Sequence, residues 1–355
     1  DIKTCVVKAR EVLYLPTAFR HATCNLDNFT LALGWTGDTQ LYHPAVHAAL
    51  DGDVKTFASM YSDISGDEHA HEIISHAGHS EVLGVILERS NNPELLQRSW
   101  LYAATFGHLQ MMRYILQHNV SIDPEDISGA STMHYAAEWG HSPVVSFLLQ
   151  QRASAETKDQ KGNTAIASAL EAGHADVLTL LMQHRVNLQA KNRAGLAPLH
   201  MACRSGRADM VRHLILHGAD VHQTGRRAVQ AIHPASWYGH EEVVLELLKA
   251  RASANARQSR SGGPLHLAAR SGHATLVSHL VQAGADADLR DAKGLCPLHS
   301  AAQAGHIPVI DALLSGGANS SVMSELGKLA EAAGHEAVMV HLDQQVQKYA
   351  ASDLG

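Results

Sequence analysis

At 355 residues, with 45% hydrophobic and 18% charged side chains, the chain has the composition of a folded, soluble protein long enough for one large array or two domains, which argues against intrinsic disorder. Its 28 Lys and Arg against 35 Asp and Glu leave a net charge of −7 and a pI near 6.4, so no global positive field draws it to nucleic acid or to an anionic membrane. No apolar run approaches the roughly 18 residues of a membrane helix, and Cys5, Cys24, Cys203 and Cys296 lie far apart without a CxxC, which predicts buried thiols in a reducing, intracellular compartment.

Residues 1 to 40 open with DIKTCVVKAR, which has no signal-peptide core, but Asp1 rather than Met stands first, so this says little about targeting. Within VVKAREVLYLPTAFRHATCNLDNFTLALGWTGDT the side chains alternate at Val12 and Tyr14 and again at Thr30 and Ala32. That period predicts two β-strands, a short N-terminal β-hairpin set apart from everything after it. EVLYLP followed by HATCNL resembles the C-terminal end of a JmjC-type cupin domain, with Arg10 in place of a glycine and Thr17, Ala18, Phe19 and Arg20 where tryptophans are usual. The resemblance implies that His21 matches the third ligand of an Fe(II) facial triad. The other two ligands would come from an H-x-D/E motif much earlier in the barrel, and none precedes His21 here. No metal and no cofactor are therefore expected, and the segment is read as a structural hairpin.

Residues 41 to 355 read as one helical array. In YHPAVHAALDGDVKTFASMY and HEIISHAGHSEVLGVILER, short apolar stripes break at Gly52 and Gly78 and predict helical pairs. The stretch HAHEIISHAGH gathers His69, His71, His76 and His79, but HEIISH spaces its histidines five apart rather than the four that puts both on one helical face for zinc.

From Gly107 onward the period is strict. Glycines stand at 107, 140, 173, 206, 239, 272 and 305, and His134, His200, His233, His266 and His299 share a register of the same length. In PLHLAARSGHATLVSHLVQAGADADL, Pro264 suits a first helical turn, Leu265, Ala268 and Ala269 form a narrow apolar face, and Gly272 stops the helix. A second helix carries Leu276, Val277, Leu280 and Val281 and closes at Gly284. Two such helices are too short to stand alone and must stack on their neighbours. PLHMACRSGRADMVRHLILHGADV, PLHLAARSGHATLVSHLVQAGADA and PLHSAAQAGHIPVIDALLSGGAN resemble the ankyrin repeat over roughly residues 41 to 342. The resemblance implies a mainly α solenoid of about ten stacked helix-turn-helix units. It also implies that the turn histidines, and those after hinge glycines such as His141, His240 and His273, tie loops together by hydrogen bonds.

Function must then come from the surface that the units build. The connecting fingers KDQKGN, KNRAGL, TGRRAV, RQSRSG and RDAKGL carry two basic residues each: Lys158 and Lys161, Lys191 and Arg193, Arg226 and Arg227, Arg257 and Arg260, Arg290 and Lys293. The acidic register beside them holds Asp159, Asn192, Gly225, Gln258 and Asp291, so three of five counter-charges are missing. The two positions before each hinge glycine include Trp139, Arg204, Trp237, Tyr238 and Arg270, residue types enriched in interface hot spots. No nucleophile elbow, P-loop or dinucleotide fingerprint is present, so no catalytic residue is assigned. These features predict a non-enzymatic interaction scaffold, a monomer until it binds an acidic segment of another protein along a concave groove. Its partner-binding residues would be Trp139, Arg204, Arg226, Arg227, Trp237, Tyr238, Arg257, Arg260, Arg270, Arg290 and Lys293. The alternative is the substrate-recruiting arm of a JmjC-type Fe(II)/2-oxoglutarate dioxygenase whose barrel lies outside this chain. Nucleic acid is disfavoured, because the fingers have no aromatics on which bases could stack, and no membrane insertion is expected.

Overall fold

The computed structural model describes residues 44–61, 77–89 and 93–352, and all regular elements among them are helical. The β-hairpin expected over residues 1 to 40, with His21, Cys5 and Cys24, and the histidines His69, His71 and His76 lie outside the described residues.

Two compact units divide between Asn92 and Pro93. In the first, α1 (Pro44–Leu50) packs on α2 (Val54–Met60), which packs on α3 (Ser80–Arg89). Asp53 caps α2 by accepting the Thr56 N–H at 3.2 Å, one of the backbone donors that a helix start leaves unpaired. The His79 ring bonds the Leu50 carbonyl at 3.1 Å, and Arg89 donates to the Ala58 carbonyl at 2.6 Å.

The second unit is a stack of helix pairs. In chain order these are α4 (Pro93–Thr105) with α5 (Leu109–Leu116), α6 (Thr132–Glu138) with α7 (Ser142–Gln150), and α8 (Ala165–Ala172) with α9 (Ala175–Gln183). Then come α10 (Pro198–Ser205) with α11 (Ala208–Leu216), α12 (Ile232–Tyr238) with α13 (Glu241–Lys249), and α14 (Pro264–Ser271) with α15 (Ala274–Gln282). The last are α16 (Pro297–Ala304) with α17 (Ile307–Ser315) and α18 (Met323–Ala332) with α19 (Glu336–Ser352). From α4 to α18 each first helix packs on the first helix of the next pair, and from α5 to α17 each second helix packs on the next second helix.

The sequence period explains the stacking. Trp100, Met133, Ile166, Leu199, Ile232, Leu265 and Leu298 recur at 33-residue intervals on the first helices, and all are buried. Leu148, Leu181, Leu214, Leu247, Leu280 and Leu313 do the same on the second helices. Each buried side chain of this size contributes roughly 1.5–3 kcal/mol, which no single pair collects without its neighbours. Ala136, Ala169, Ala202, Ala235, Ala268 and Ala301 keep the first helices close, and Cys203 sits one position after Ala202 as another small buried group. Burial in that apolar layer pushes the Cys203 thiol far above its usual range, so it is inert in the folded chain.

Two glycine registers behave differently. Gly239 ends α12 with φ +74°, and a Cβ there would lie about 2.5 Å from the ring of His273, whose Nε2–H donates to the Trp237 carbonyl at 3.1 Å. The hinge therefore needs glycine twice, for its left-handed backbone and for the ring of the next pair. At the ends of the second helices, Gly218 and Gly284 also have positive φ, but a Cβ there would meet nothing within 4 Å. Sterically free, that register holds Asn119, Arg152, Arg185 and Arg251 in other pairs, all at positive φ. Gly239→Ala is expected to cost about 2 kcal/mol, from left-handed strain plus the displaced His273 bond. Urea unfolding checks this. His273→Ala should cost less in the Gly239→Ala background than alone, because the two changes break one contact.

The turn histidines form the second tie. His200, His233 and His266 accept on Nδ1 the backbone N–H of Ala197, Gln230 and Gly263, at 3.3, 3.0 and 3.3 Å. Nδ1 is thus unprotonated, and Nε2–H donates to Val229, Ala256 and Leu295 carbonyls, at 3.0, 3.1 and 3.0 Å. His134 and His299 accept in the same way from Ser131 and Cys296. The loop-tying role implied by the resemblance is what these rings perform.

Candidate interaction surface

The first helices end on a row of residues spaced by 33: Thr105, Glu138, Glu171, Arg204, Trp237, Arg270 and Gln303. Their backbone carbonyls face the next pair, where His141, His174, His240, His273, His306 and His335 donate to Thr105, Glu138, Arg204, Trp237, Arg270 and Gln303. At Glu171 the pattern changes. Arg207 replaces the histidine and donates to the carbonyls of Ala172 and Gly173, each at 3.3 Å. With the helix ends satisfied in this way, the side chains of the row are left at the surface.

Neighbours along the row interact. Arg204 forms an ion pair with Glu171 at 3.1 Å. The Arg270 guanidinium lies over the Trp237 ring, 5.9 Å from its centroid, a cation–π arrangement. Trp237, Arg270, Ser271, Ser300, Gln303 and His306 line one open groove at the ends of α12, α14 and α16. Trp237 remains 42% exposed there, and Tyr238 is 52% exposed with its ring stacked on His240 at 5.9 Å. Trp139 is 55% exposed, but it lies at the end of α6, three pairs away, and does not line this groove. The row thus runs from acidic, at Glu138 and Glu171, to cationic and aromatic, at Arg204, Trp237 and Arg270.

The five fingers carry their basic residues exposed, as the sequence predicts, but the cations differ in employment. Lys158 Nζ donates to the Lys191 carbonyl at 3.2 Å, Lys191 Nζ to the Thr224 carbonyl at 2.6 Å, and Arg290 to the Gly294 carbonyl of its own finger at 2.7 Å. These three hold turns together. The acidic register needs a correction too. Asp159, Asn192 and Asp291 accept backbone N–H groups of Asn163, Leu196 and Leu295 at 2.8, 2.9 and 2.9 Å, so their first role is to close the turn rather than to neutralise a cation. Asp126 does this in the preceding finger. Burial there raises its carboxyl, but hydrogen bonds from Ser128, Tyr135 and two backbone N–H groups outweigh that and hold it below the usual carboxylate range.

Among the exposed apolar residues that the sequence does not single out, one lies in a finger. Ile127, at the tip of the Asp126 finger, is 90% exposed, and its carbonyl accepts from Gln160 at 2.7 Å. The signal was a large apolar side chain in a finger register otherwise held by Gln160, Arg193, Arg226, Ser259 and Ala292. Among the described residues no group of His, Cys, Asp and Glu is placed to hold a metal ion, and no helix is long and apolar enough to cross a membrane. A family model described as ankyrin repeats (3 copies) matches residues 70–159, 133–225 and 231–324, well over half of the chain. No curated protein matches it.

Proposed function

Because the chain belongs to the ankyrin-repeat family, whose repeats are generally protein–protein interaction modules, we propose that it is a non-catalytic scaffold that binds an acidic segment of another protein across the ends of α12, α14 and α16. The observation that carries this reading is the pairing of Trp237 with Arg270. Arg270 lies on an exposed ring and has no acidic partner among the described residues, whereas Arg204 is already paired with Glu171. A carboxylate entering the groove would meet Arg270, with Ser300 and Gln303 beside it as donors, while Trp237 covers the apolar stem of the segment. Glu138 disfavours an acidic segment at the earlier pairs, and Glu171 occupies Arg204, which supports docking at the later ones.

The test begins with a partner captured by the full chain from extract of its source cell, and its affinity is then measured against the Trp237→Ala/Arg270→Ala variant. A hot-spot pair predicts a loss of about 30-fold or more, with an unchanged thermal midpoint because both side chains are at the surface. Equal affinity for the two chains overturns the groove assignment.

A further inference from the structure

The two central fingers stand out from the other three. Residues 224–229 and 257–262 have Gly225 and Gln258 where the others have Asp159, Asn192 and Asp291. Their four basic residues are all arginines, Arg226, Arg227, Arg257 and Arg260. All four are exposed, and none of the guanidinium groups has an ion pair or hydrogen bond among the described residues. The turns touch, since Ser259 N–H donates to the Arg227 carbonyl at 3.0 Å. Four like charges on adjoining turns repel one another. The backbone adds a second cost at the same place: Arg227 and Ala228 have φ +57° and +58°, in a turn where the neighbouring finger uses Gly195 at φ +80°. Left-handed backbone disfavours any side chain, so the 224–229 turn holds strain and unneutralised charge in one place.

We propose that these two fingers dock a phosphorylated segment of the protein partner, which deepens the groove reading and rests on it. The chemistry favours phosphate over carboxylate. A phosphoserine carries roughly −1.5 to −2 charge and three acceptor oxygens, and the planar guanidinium fork binds such a group through paired hydrogen bonds that an ammonium cannot reproduce. The charge complements four free arginines better than any single acid. Neither finger carries an aromatic ring for a base to stack on, and neither tip carries a large apolar side chain to enter a bilayer. Geometry joins the fingers to the groove, because 224–229 leads into α12 with Trp237 and 257–262 leads into α14 with Arg270. A helix of this length spans about 10 Å, so roughly three to four residues of an extended partner would separate its phosphate from the side chain seated on Trp237.

The experiment measures fluorescence anisotropy of the full chain with three short labelled probes at about 0.15 M ionic strength: a Gly/Ala peptide with two phosphoserines, the same peptide with two glutamates, and an oligodeoxynucleotide. The phosphopeptide should bind at least about tenfold tighter than the glutamate peptide. Changing all four arginines to Gln should abolish that binding. Changing them to Lys should keep weak binding but erase the preference for phosphate. All four side chains are exposed, so the Lys variant should keep the parent thermal midpoint and the Gln variant, relieved of the like-charge repulsion, should not fall below it. Equal binding of the two peptides, tighter binding of the oligonucleotide, or unchanged binding by the Gln variant each overturns the proposal. Trp237→Ala/Arg270→Ala should bind this short phosphopeptide as the parent does. Failure of the groove reading would therefore show only with the captured partner, and failure of the phosphate site only here.

Discussion

Trp100→Ala is expected to lower stability by about 3–5 kcal/mol, the usual cost of emptying a large aromatic site. Among the described residues Trp100 is the largest fully buried side chain. From α4 it reaches the loop before α6, where its Nε1–H donates to the Ile122 carbonyl at 3.1 Å, and α7, where its ring lies 6.4 Å from that of Phe147. Alanine would leave a cavity and an unpaired carbonyl together. In a stack where each layer touches only its neighbours, the loss should stay local. Hydrogen exchange followed by mass spectrometry should show faster exchange in α4 to α7 and unchanged protection in α14 to α17. Uniform loosening of the whole stack would contradict the layered account. Trp100→Phe should recover most of the packing and lose mainly the hydrogen bond, at about 1–2 kcal/mol.

Why some registers were legible and others were not follows from what each position touches. The hinge glycines recur without exception from Gly107 to Gly305 because the ring or guanidinium of the next pair lies where a Cβ would be, so no other residue fits. The closing glycines of the second helices face open space, and the sequence varies there accordingly. Helix starts were equally readable, since Pro198, Pro264 and Pro297 each open a helix. Less visible was the fate of surface charge. Glu171 and Arg204 are one period apart, so their pairing could have been read from the register, as could that of Trp237 with Arg270. The carbonyl bonds of Lys158, Lys191 and Arg290 could not, because a long cation's partner depends on backbone direction in the adjoining turn. Residue type alone therefore gave ten equivalent finger cations, whereas hydrogen bonding separates three that hold turns from seven that do not, four of the seven being the arginines of the two central fingers.

The turn histidines give the stack an acid limit. Burial is the main cause that holds His200, His233 and His266 below the ordinary histidine range, and it outweighs the backbone carbonyls that favour the charged ring. His141 is shifted in the same direction, again chiefly by burial. In the unfolded chain these rings titrate near 6.5, so as pH falls below that value the unfolded state binds protons that the folded state refuses. Their contribution to stability is complete above about pH 6.5 and is lost progressively as pH falls towards the lowered folded values. Each proton withheld steepens the loss by up to about 1.4 kcal/mol per pH unit, so the three buried rings together contribute up to about 4 kcal/mol per unit. The carboxyls of Asp53, Asp126 and Glu246 are held below their usual range and titrate at still lower pH, outside this window. The urea midpoint should therefore be flat from pH 8 to about 7 and fall steeply between about 6.5 and 5. Replacing His200, His233 and His266 together with Gln should lower stability at neutral pH but flatten the acid limb. A limb that stays as steep in that variant would mean that other groups take up the protons. Protonation also removes the Nδ1 acceptor that receives the backbone N–H at the start of α10, α12 and α14, so unfolding in acid should begin at those turns and carry the central fingers with it.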